Sequence, residues 1–405
     1  MARILLAWEV GADYGHLMRY AVLARELARR GHEPVFALKD LSHVETVLGD
    51  TNYTVLQAPV WASEVSGLAQ PASFAETLLH FGFLHPQTLA GLCRGWRALV
   101  ASQSPQLMLC DYAPTALLAT RGLGLPRLLF GDGFAIPPRS EPMPVYRWWQ
   151  PAAPGRVADA ERHALAGANG LLSRLGEPPL ARLVDLLDAE GEVLATNEEF
   201  DHYPQRRGAT YWGAVQTVDR GVVPRWPAQP GPRVFAYLKP RARDFSALLK
   251  ALAGLEVAAV VHAPGISPAL LRSHLAPNIH FSNEPLRMTE VCREADLGIC
   301  HAGGTAQTLV AAGKPVLLLP QQIEQLMTAK RVAMLGAGLV ADPEKPAPDY
   351  RRLLKRLLGE PDFAAAAQRV AARHAGDDPA ARVARIADLC EAVIATAAAR
   401  AQWRA

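Results

Sequence analysis

At 405 residues, half of them hydrophobic and a fifth charged, the chain has an ordinary globular balance. It is too long for one core and suits two domains of about 200 residues each. The formal net charge of +3 comes from scattered basic residues, which excludes the clustered basic face of a nucleic-acid binder. No apolar run reaches the roughly 18 residues that span a bilayer. The five cysteines (Cys93, Cys110, Cys292, Cys300, Cys390) lack CxxC spacing and read as reduced thiols of a cytoplasmic protein.

In the opening MARILLAWEV, Glu9 cuts the apolar run, so it reads as a first strand rather than a signal peptide. Residues 3–8 predict a strand, 17–30 a helix ending at Gly31-His32, and 33–38 the next strand. This βαβ opening implies a parallel sheet with right-handed crossovers. A strand at 53–56 leads into a less regular, aromatic-rich section, 61–85. A helix to about residue 101, a strand at 106–110 ending at Asp111, a helix at 114–122 and a strand at 127–130 complete the regular part. Residues 130–154, FGDGFAIPPRSEPMPVYRWWQPAAP, are dense in proline and aromatics and predict a long, mobile loop. Such a loop is packed by its own aromatics, or forms a flap over an apolar acceptor. Tyr146, Trp148 and Trp149 beside Arg139 and Arg147 also suit a membrane surface, although no amphipathic helix accompanies them.

A helical section (156–187) and strands at 193–196 and 209–212 bring the chain to 221–232, GVVPRWPAQPGP, with the composition of a linker. Alternation then resumes: strands at 234–238, 256–261 and 278–281, helices at 245–253, 268–275 and 288–294. The expected layout is a first domain over 1–220, the linker, a second domain over 233–378, and a terminal alanine- and arginine-rich helix in 379–405.

Residues 296–342 carry the densest signal. A buried strand (297–300) runs into His301-Ala302-Gly303-Gly304-Thr305 and a helix ending at Gly313. Lys314-Pro315 starts a second buried strand closed by Pro320, and the next helix carries Glu324 and Gln325 in its first turn. A strand, a glycine turn and a helix N-terminus make an anion site, which is chemistry for a phosphate. In the first domain, Gly15-His16 follows the first strand and Asp111 ends another. The carboxyl ends of such strands face the ligand crevice. A histidine there can take a proton near neutral pH, and a carboxylate beside it fixes its tautomer. Asp13 is the alternative base; the purely structural alternative makes His16 a polar helix cap and Asp111 a turn residue.

The stretch 296–342 resembles the donor-binding motif of inverting nucleotide-sugar glycosyltransferases of the two-Rossmann-domain (GT-B) type, which include plant and bacterial natural-product enzymes. The resemblance rests on His301, Gly303, Gly304, Thr305, Ala311-Ala312-Gly313-Lys314-Pro315, Pro320, Glu324-Gln325 and Leu335-Gly336-Ala337-Gly338-Leu339. The loop 301–305 is one residue shorter than the usual form. Thr308 stands where many members have a ribose-binding glutamate, and Arg19 where a proline is common.

The resemblance implies an α/β fold of two Rossmann-like domains with a cleft between them, and a terminal helix crossing back to the first domain. It implies that His301, Gly303, Gly304 and Thr305 hold the donor diphosphate, and that Glu324 and Gln325 hold the donor sugar. Asn283, Glu284, Pro285, Leu286 and Thr308 then face the nucleoside, with Lys239 able to reach the diphosphate. His16 and Asp111 form the catalytic dyad. An apolar hydroxylated acceptor, small-molecule or lipid-like, is expected among Trp61, Phe74, Phe81, Phe83 and Phe134. No Asp-x-Asp occurs, so no metal is expected, and the co-substrate, a UDP- or dTDP-sugar, is the only small molecule required besides the acceptor. Thr308 is too short to bridge two ribose hydroxyls. It suits a deoxyribose donor, a different residue in that role, or a decayed site. Two rivals remain: a non-catalytic activator of a partner transferase, and a nucleotide-sugar epimerase of the same fold.

Overall fold

The computed structural model describes residues 1–11, 15–61, 65, 67–215, 219 and 221–402. The chain divides into two compact units, Met1–Thr217 with Asp378–Ala405, and Val218–Asp377.

The first unit runs β1 (Arg3–Trp8), α1 (Gly15–Arg29), β2 (Glu33–Leu38), α2 (Val44–Leu48), β3 (Thr54–Gln57), α3 (Phe74–Leu78), α4 (Pro86–Gln103), β4 (Leu107–Asp111), α5 (Pro114–Ala119), β5 (Arg127–Gly131), α6 (Arg156–Leu175) and β6 (Gly191–Leu194). Its six parallel strands lie in the order β3-β2-β1-β4-β5-β6. Strand β1 shows why both faces are covered. Leu5 and Ala7 enter one core, while Ile4, Leu6 and Trp8 enter the other. A strand apolar at every position must be buried on both sides. The order reverses direction between β1 and β4, the switch point where open α/β sheets bind ligands.

The second unit runs β7 (Arg233–Tyr237), α7 (Phe245–Ala253), β8 (Ala258–His262), α8 (Pro268–Arg272), β9 (Ile279–Ser282), α9 (Met288–Glu294), β10 (Leu297–Cys300), α10 (Gly304–Ala311), β11 (Val316–Leu318), α11 (Ile323–Met334), β12 (Gly338–Val340), α12 (Tyr350–Gly359) and α13 (Pro361–Arg373). The strand order β12-β11-β10-β7-β8-β9 repeats the first topology, with its switch point between β7 and β10.

The last helix, α14 (Pro379–Gln402), belongs to the first unit. Its Val383, Ile386, Ala387 and Cys390 share a core with Leu17, Leu23 and Leu27 of α1. Arg30 ties the outside of this joint to Asp388 at 2.6 Å and Glu391 at 2.9 Å. Arg382 is buried, and its Nη1 donates to the Ala214 carbonyl at 2.6 Å. Gly213, at φ +79°, makes room for it: a Cβ there would lie 2.4 Å from Arg382 Nε.

The Pro/aromatic segment 130–154 is not the mobile excursion its composition predicts. Ile136, Met143 and Tyr146 are fully buried. The Tyr146 N–H donates to the Ala72 carbonyl at 2.8 Å, and its hydroxyl meets Thr77 Oγ1 at 2.7 Å. Aromatic and proline residues lack a period here because they build a local core rather than a helix or strand. The section 61–85 contains α3, capped by Ser73, whose Oγ accepts from the Glu76 N–H. The helical section 156–187 stops at Gly176 and resumes only as a 3-10 turn, Leu183–Leu187. Residues 209–212 form no strand; Tyr211 makes a single bridge to Leu194.

Among the described residues no helix is long and apolar enough to cross a membrane. The five cysteines are unpaired. Burial pushes the thiols of Cys93, Cys110, Cys300 and Cys390 up to about 12 and that of Cys292 to about 11.

Candidate active site

The switch point of the first sheet assembles the titratable cluster. In the β1–β4 pairing, Trp8 stands opposite Asp111. Beyond β1 the chain is pinned to the segment after β4 by two contacts. The Val10 N–H donates to the Tyr112 carbonyl at 2.9 Å. Glu9 Oε2 accepts from the Thr115 and Ala116 N–H groups at 2.9 and 3.2 Å, satisfying the orphan donors of α5. Burial pushes the Glu9 carboxyl up to about 7 despite those bonds. Tyr112 takes a left-handed backbone, φ +47°, immediately after Asp111.

Held this way, α1 starts beside β4, and His16 Nδ1 lies 2.9 Å from Asp111 Oδ2. The imidazole stacks on Trp8, with centroids 5.0 Å apart and planes 16° apart. Asp111 has no exposed surface, and among the described residues its Oδ1 has no hydrogen-bond partner. Gly11, at φ +106°, passes so close to the ring that a Cβ there would sit 2.6 Å from His16 Nε2. With Nδ1–H donated to Asp111, Nε2 keeps its lone pair and can accept a proton. Asp13, the alternative base, lies outside the described residues.

Three members of this cluster escaped the sequence reading as site residues. Arg19 Nη2 lies 3.4 Å from Asp111 Oδ2 and 3.2 Å from His16 Nδ1, and Nη1 donates to Asp132 Oδ2 at 3.0 Å. Asp132 Oδ1 also accepts from the Phe134 and Ala135 N–H groups at 3.1 and 3.3 Å. Burial pushes the Asp132 carboxyl up, but Arg19, His202 and His16 together outweigh it and hold it well below the usual carboxylate range. His202 is fully buried, 5.7 Å from the Phe134 ring. A signal existed for Asp132, since it follows strand β5 as Asp111 closes the neighbouring β4. His202 comes from a distant loop and leaves no local pattern.

The five aromatics expected to meet an acceptor divide. Phe74 and Phe134 gather around Tyr112, at 6.0 and 5.7 Å. Trp61 stacks on His85, and Phe81 lies under Lys39 Nζ at 5.7 Å. Phe74 and Phe83 are only 1% exposed, so in this structure they are core residues with no free face. Trp61, Phe81 and Phe134 are half-buried.

In the second unit, His301 follows β10 at the switch point. Its Nδ1 donates to the Leu319 carbonyl at 2.8 Å, and its Nε2 accepts from the Lys239 N–H at 2.8 Å. Both ring nitrogens are thus engaged with backbone. The ring ties together the ends of β7, β10 and β11. Ala302 adopts φ +63°, which turns the chain sharply into α10. Around Gly303 and Gly304 there is open space at the Cβ positions, and Thr305 is half-buried beside them. In the first turn of α10 the Ala306 N–H donates to the Gly303 carbonyl at 2.9 Å, which leaves the N–H groups of Gly304 and Thr305 to meet an anion.

Thr308 Oγ1 donates to the Gly304 carbonyl at 3.0 Å, so its proton is spent within the helix. Gln325 is buried and its Oε1 accepts from the Gln321 N–H at 2.8 Å; Glu324 is half-buried. In the nucleoside segment, Asn283, Glu284 and Pro285 are exposed and Leu286 is buried. The Pro285 carbonyl accepts from the Val222 N–H at 3.0 Å. Tyr237 and His262 stack at 5.8 Å on the same edge, and burial lowers the basicity of His262.

Two Rossmann-like units, each with its polar residues at the switch point, define the fold of the GT-B glycosyltransferases. Residues 246–392 match the family described as Erythromycin biosynthesis protein CIII-like, C-terminal domain. Among solved structures, the calicheamicin glycosyltransferase CalG4 is similar at 22% identity and TM-score 0.72, over 97% of this chain and 98% of that one. The glycosyltransferase of kitacinnamycin is similar at 21% identity and TM-score 0.68, covering 97% and 99%. The spinosyn rhamnosyltransferase SpnG, complexed with thymidine diphosphate, is similar at 21% identity and TM-score 0.67, covering 95% and 100%. None of the curated proteins matches the chain.

Proposed function

We propose that the chain is an inverting, metal-independent glycosyltransferase. It moves a sugar from a dTDP- or UDP-sugar to a hydroxyl of an apolar acceptor. The observation that carries this reading is the buried Asp111 held 2.9 Å from His16 Nδ1 at the first switch point. There His16 Nε2 takes the proton of the acceptor hydroxyl as its oxygen attacks the anomeric carbon. Asp111 stabilises the imidazolium that forms. Attack opposite the leaving nucleoside diphosphate inverts the anomeric centre. In the second unit the N–H groups at the start of α10, with Gly303, Gly304 and the Thr305 hydroxyl, receive the charge that develops on the diphosphate. His301 fixes that turn, and Glu324 and Gln325 meet the sugar.

Two facts favour a thymidine donor. Thr308 is too short to bridge two ribose hydroxyls, and its one hydroxyl is already bonded to the Gly304 carbonyl. Two similar structures, SpnG and VinC, are complexes with thymidine diphosphate. For the acceptor, SpnG complexed with spinosyn aglycone offers the analogy of a large apolar alcohol. The test is turnover by the purified chain in EDTA, with dTDP- and UDP-hexoses and a panel of hydroxylated polyketide and aromatic acceptors. Released nucleoside diphosphate and a product of inverted anomeric configuration are expected. Activity that disappears in EDTA and returns with magnesium, or a retained configuration, would overturn the mechanism.

A further inference from the structure

We propose that Arg19 is a positioning residue that sets the tautomer of His16, and that Asp132 acts by drawing Arg19 away from it. The inference rests on His16 being the base, as proposed above. Three distances carry it. Nδ1 of His16 faces an acceptor, Asp111 Oδ2, at 2.9 Å and a donor, Arg19 Nη2, at 3.2 Å. The same guanidinium reaches Asp132 Oδ2 at 3.0 Å.

A guanidinium has donors only and stays charged. The two contacts at Nδ1 therefore ask for opposite tautomers. When Nδ1 carries the proton it bonds Asp111, and Nε2 is free to act as base. When Nδ1 accepts from Arg19, the proton sits on Nε2 and the ring cannot take another there. Arg19 also opposes the imidazolium by its charge, as a cation in contact with a second one. Asp132 counters both effects. It accepts from Nη1, and its other oxygen is fixed by the Phe134 and Ala135 N–H groups, so the guanidinium is anchored on its far side.

The remaining charged groups near the ring, among the described residues, are turned elsewhere. Glu9 caps α5. Lys39 Nζ donates to the Gly11 carbonyl at 2.6 Å. His202 bears electrostatically on Asp132. Trp8 stacks on the imidazole and Gly11 lies beside its Nε2, and neither titrates.

The test reads the tautomer directly, without turnover. In the full chain labelled with 15N-histidine, the His16 ring shifts, assigned by their loss in His16→Ala, distinguish Nδ1–H from Nε2–H. The parent is expected to be mainly Nδ1–H, and Asp132→Asn to move the population toward Nε2–H. Arg19→Met is expected to leave only Nδ1–H. Arg19→Lys, a compact charge that cannot span both carboxylates, should fall between. If Arg19→Met leaves two buried carboxylates too unstable to fold, Arg19→Met/Asp132→Asn keeps only the Asp111 pair and should likewise leave only Nδ1–H. Ring shifts identical to the parent in these variants would overturn the role of Arg19. If instead His16→Ala retains turnover, the base assignment fails, and the ring shifts still report whether Arg19 governs the tautomer.

Discussion

His301 offers a sharp separation between two roles for one side chain. Replacing it with alanine removes a ring that accepts from the Lys239 N–H and donates to the Leu319 carbonyl, both at 2.8 Å. Leu319 is buried, and so is the imidazole. Each polar group left without a partner costs about 1–3 kcal/mol. With partial access of water at Lys239, His301→Ala should destabilise by about 2–4 kcal/mol. For a domain of this size that is a fall of roughly 5–10 °C in melting temperature. Glutamine can supply a carbonyl to Lys239 and an N–H to Leu319, so His301→Gln should recover at least half of the loss. The assay is thermal unfolding of ligand-free protein, followed by titration with dTDP. If His301→Ala melts like the parent while dTDP binding weakens tenfold or more, the ring touches phosphate directly and the backbone-tie account is wrong.

Other outcomes follow from the same geometry. Glu9, with its carboxyl pushed up to about 7 from an ordinary 4.5, stays protonated in the fold where the unfolded chain already ionises. Stability should fall as pH rises from about 4.5 to 7, by up to roughly 3 kcal/mol, and level off above. Urea midpoints for Glu9→Gln should lose that slope. Gly213→Ala places a Cβ 2.4 Å from Arg382 Nε at φ +79°, so it should destabilise by about 2–4 kcal/mol in chemical unfolding. In His16→Ala, transfer should fall by at least about 100-fold while dTDP affinity is kept; near-normal turnover would remove His16 as the base.

Much of this arrangement is legible in the chain because strand runs and turns are local. The apolar runs at β1, β4, β7 and β10 and the glycine stop after α1 are written in short windows, and they carry the two Rossmann-like halves. That His16 and Asp111 stand at one edge follows from parallel strands alone, since all carboxyl ends share that edge. What the sequence concealed is long-range or conformational. The Arg19–Asp132 bridge joins residues 113 positions apart, and no period announces it. The engagement of both His301 nitrogens depends on where two distant backbones end. Residues 130–154 read as mobile because their aromatics have no periodicity, yet Tyr146 is buried through Ala72 and Thr77. No local pattern announces the burial of Phe74 and Phe83 either, each only 1% exposed.

The measurement that bears most directly on the central claim is a melting-temperature panel of the purified chain in EDTA with dTDP, UDP, GDP and CMP. A nucleotide at 100 times its dissociation constant adds about 2.7 kcal/mol to the unit that binds it. A clear rise is expected with dTDP, a smaller one with UDP because Thr308 cannot bridge two ribose hydroxyls, and none with GDP or CMP. No shift with any of the four at millimolar concentration would contradict a nucleotide-sugar donor site.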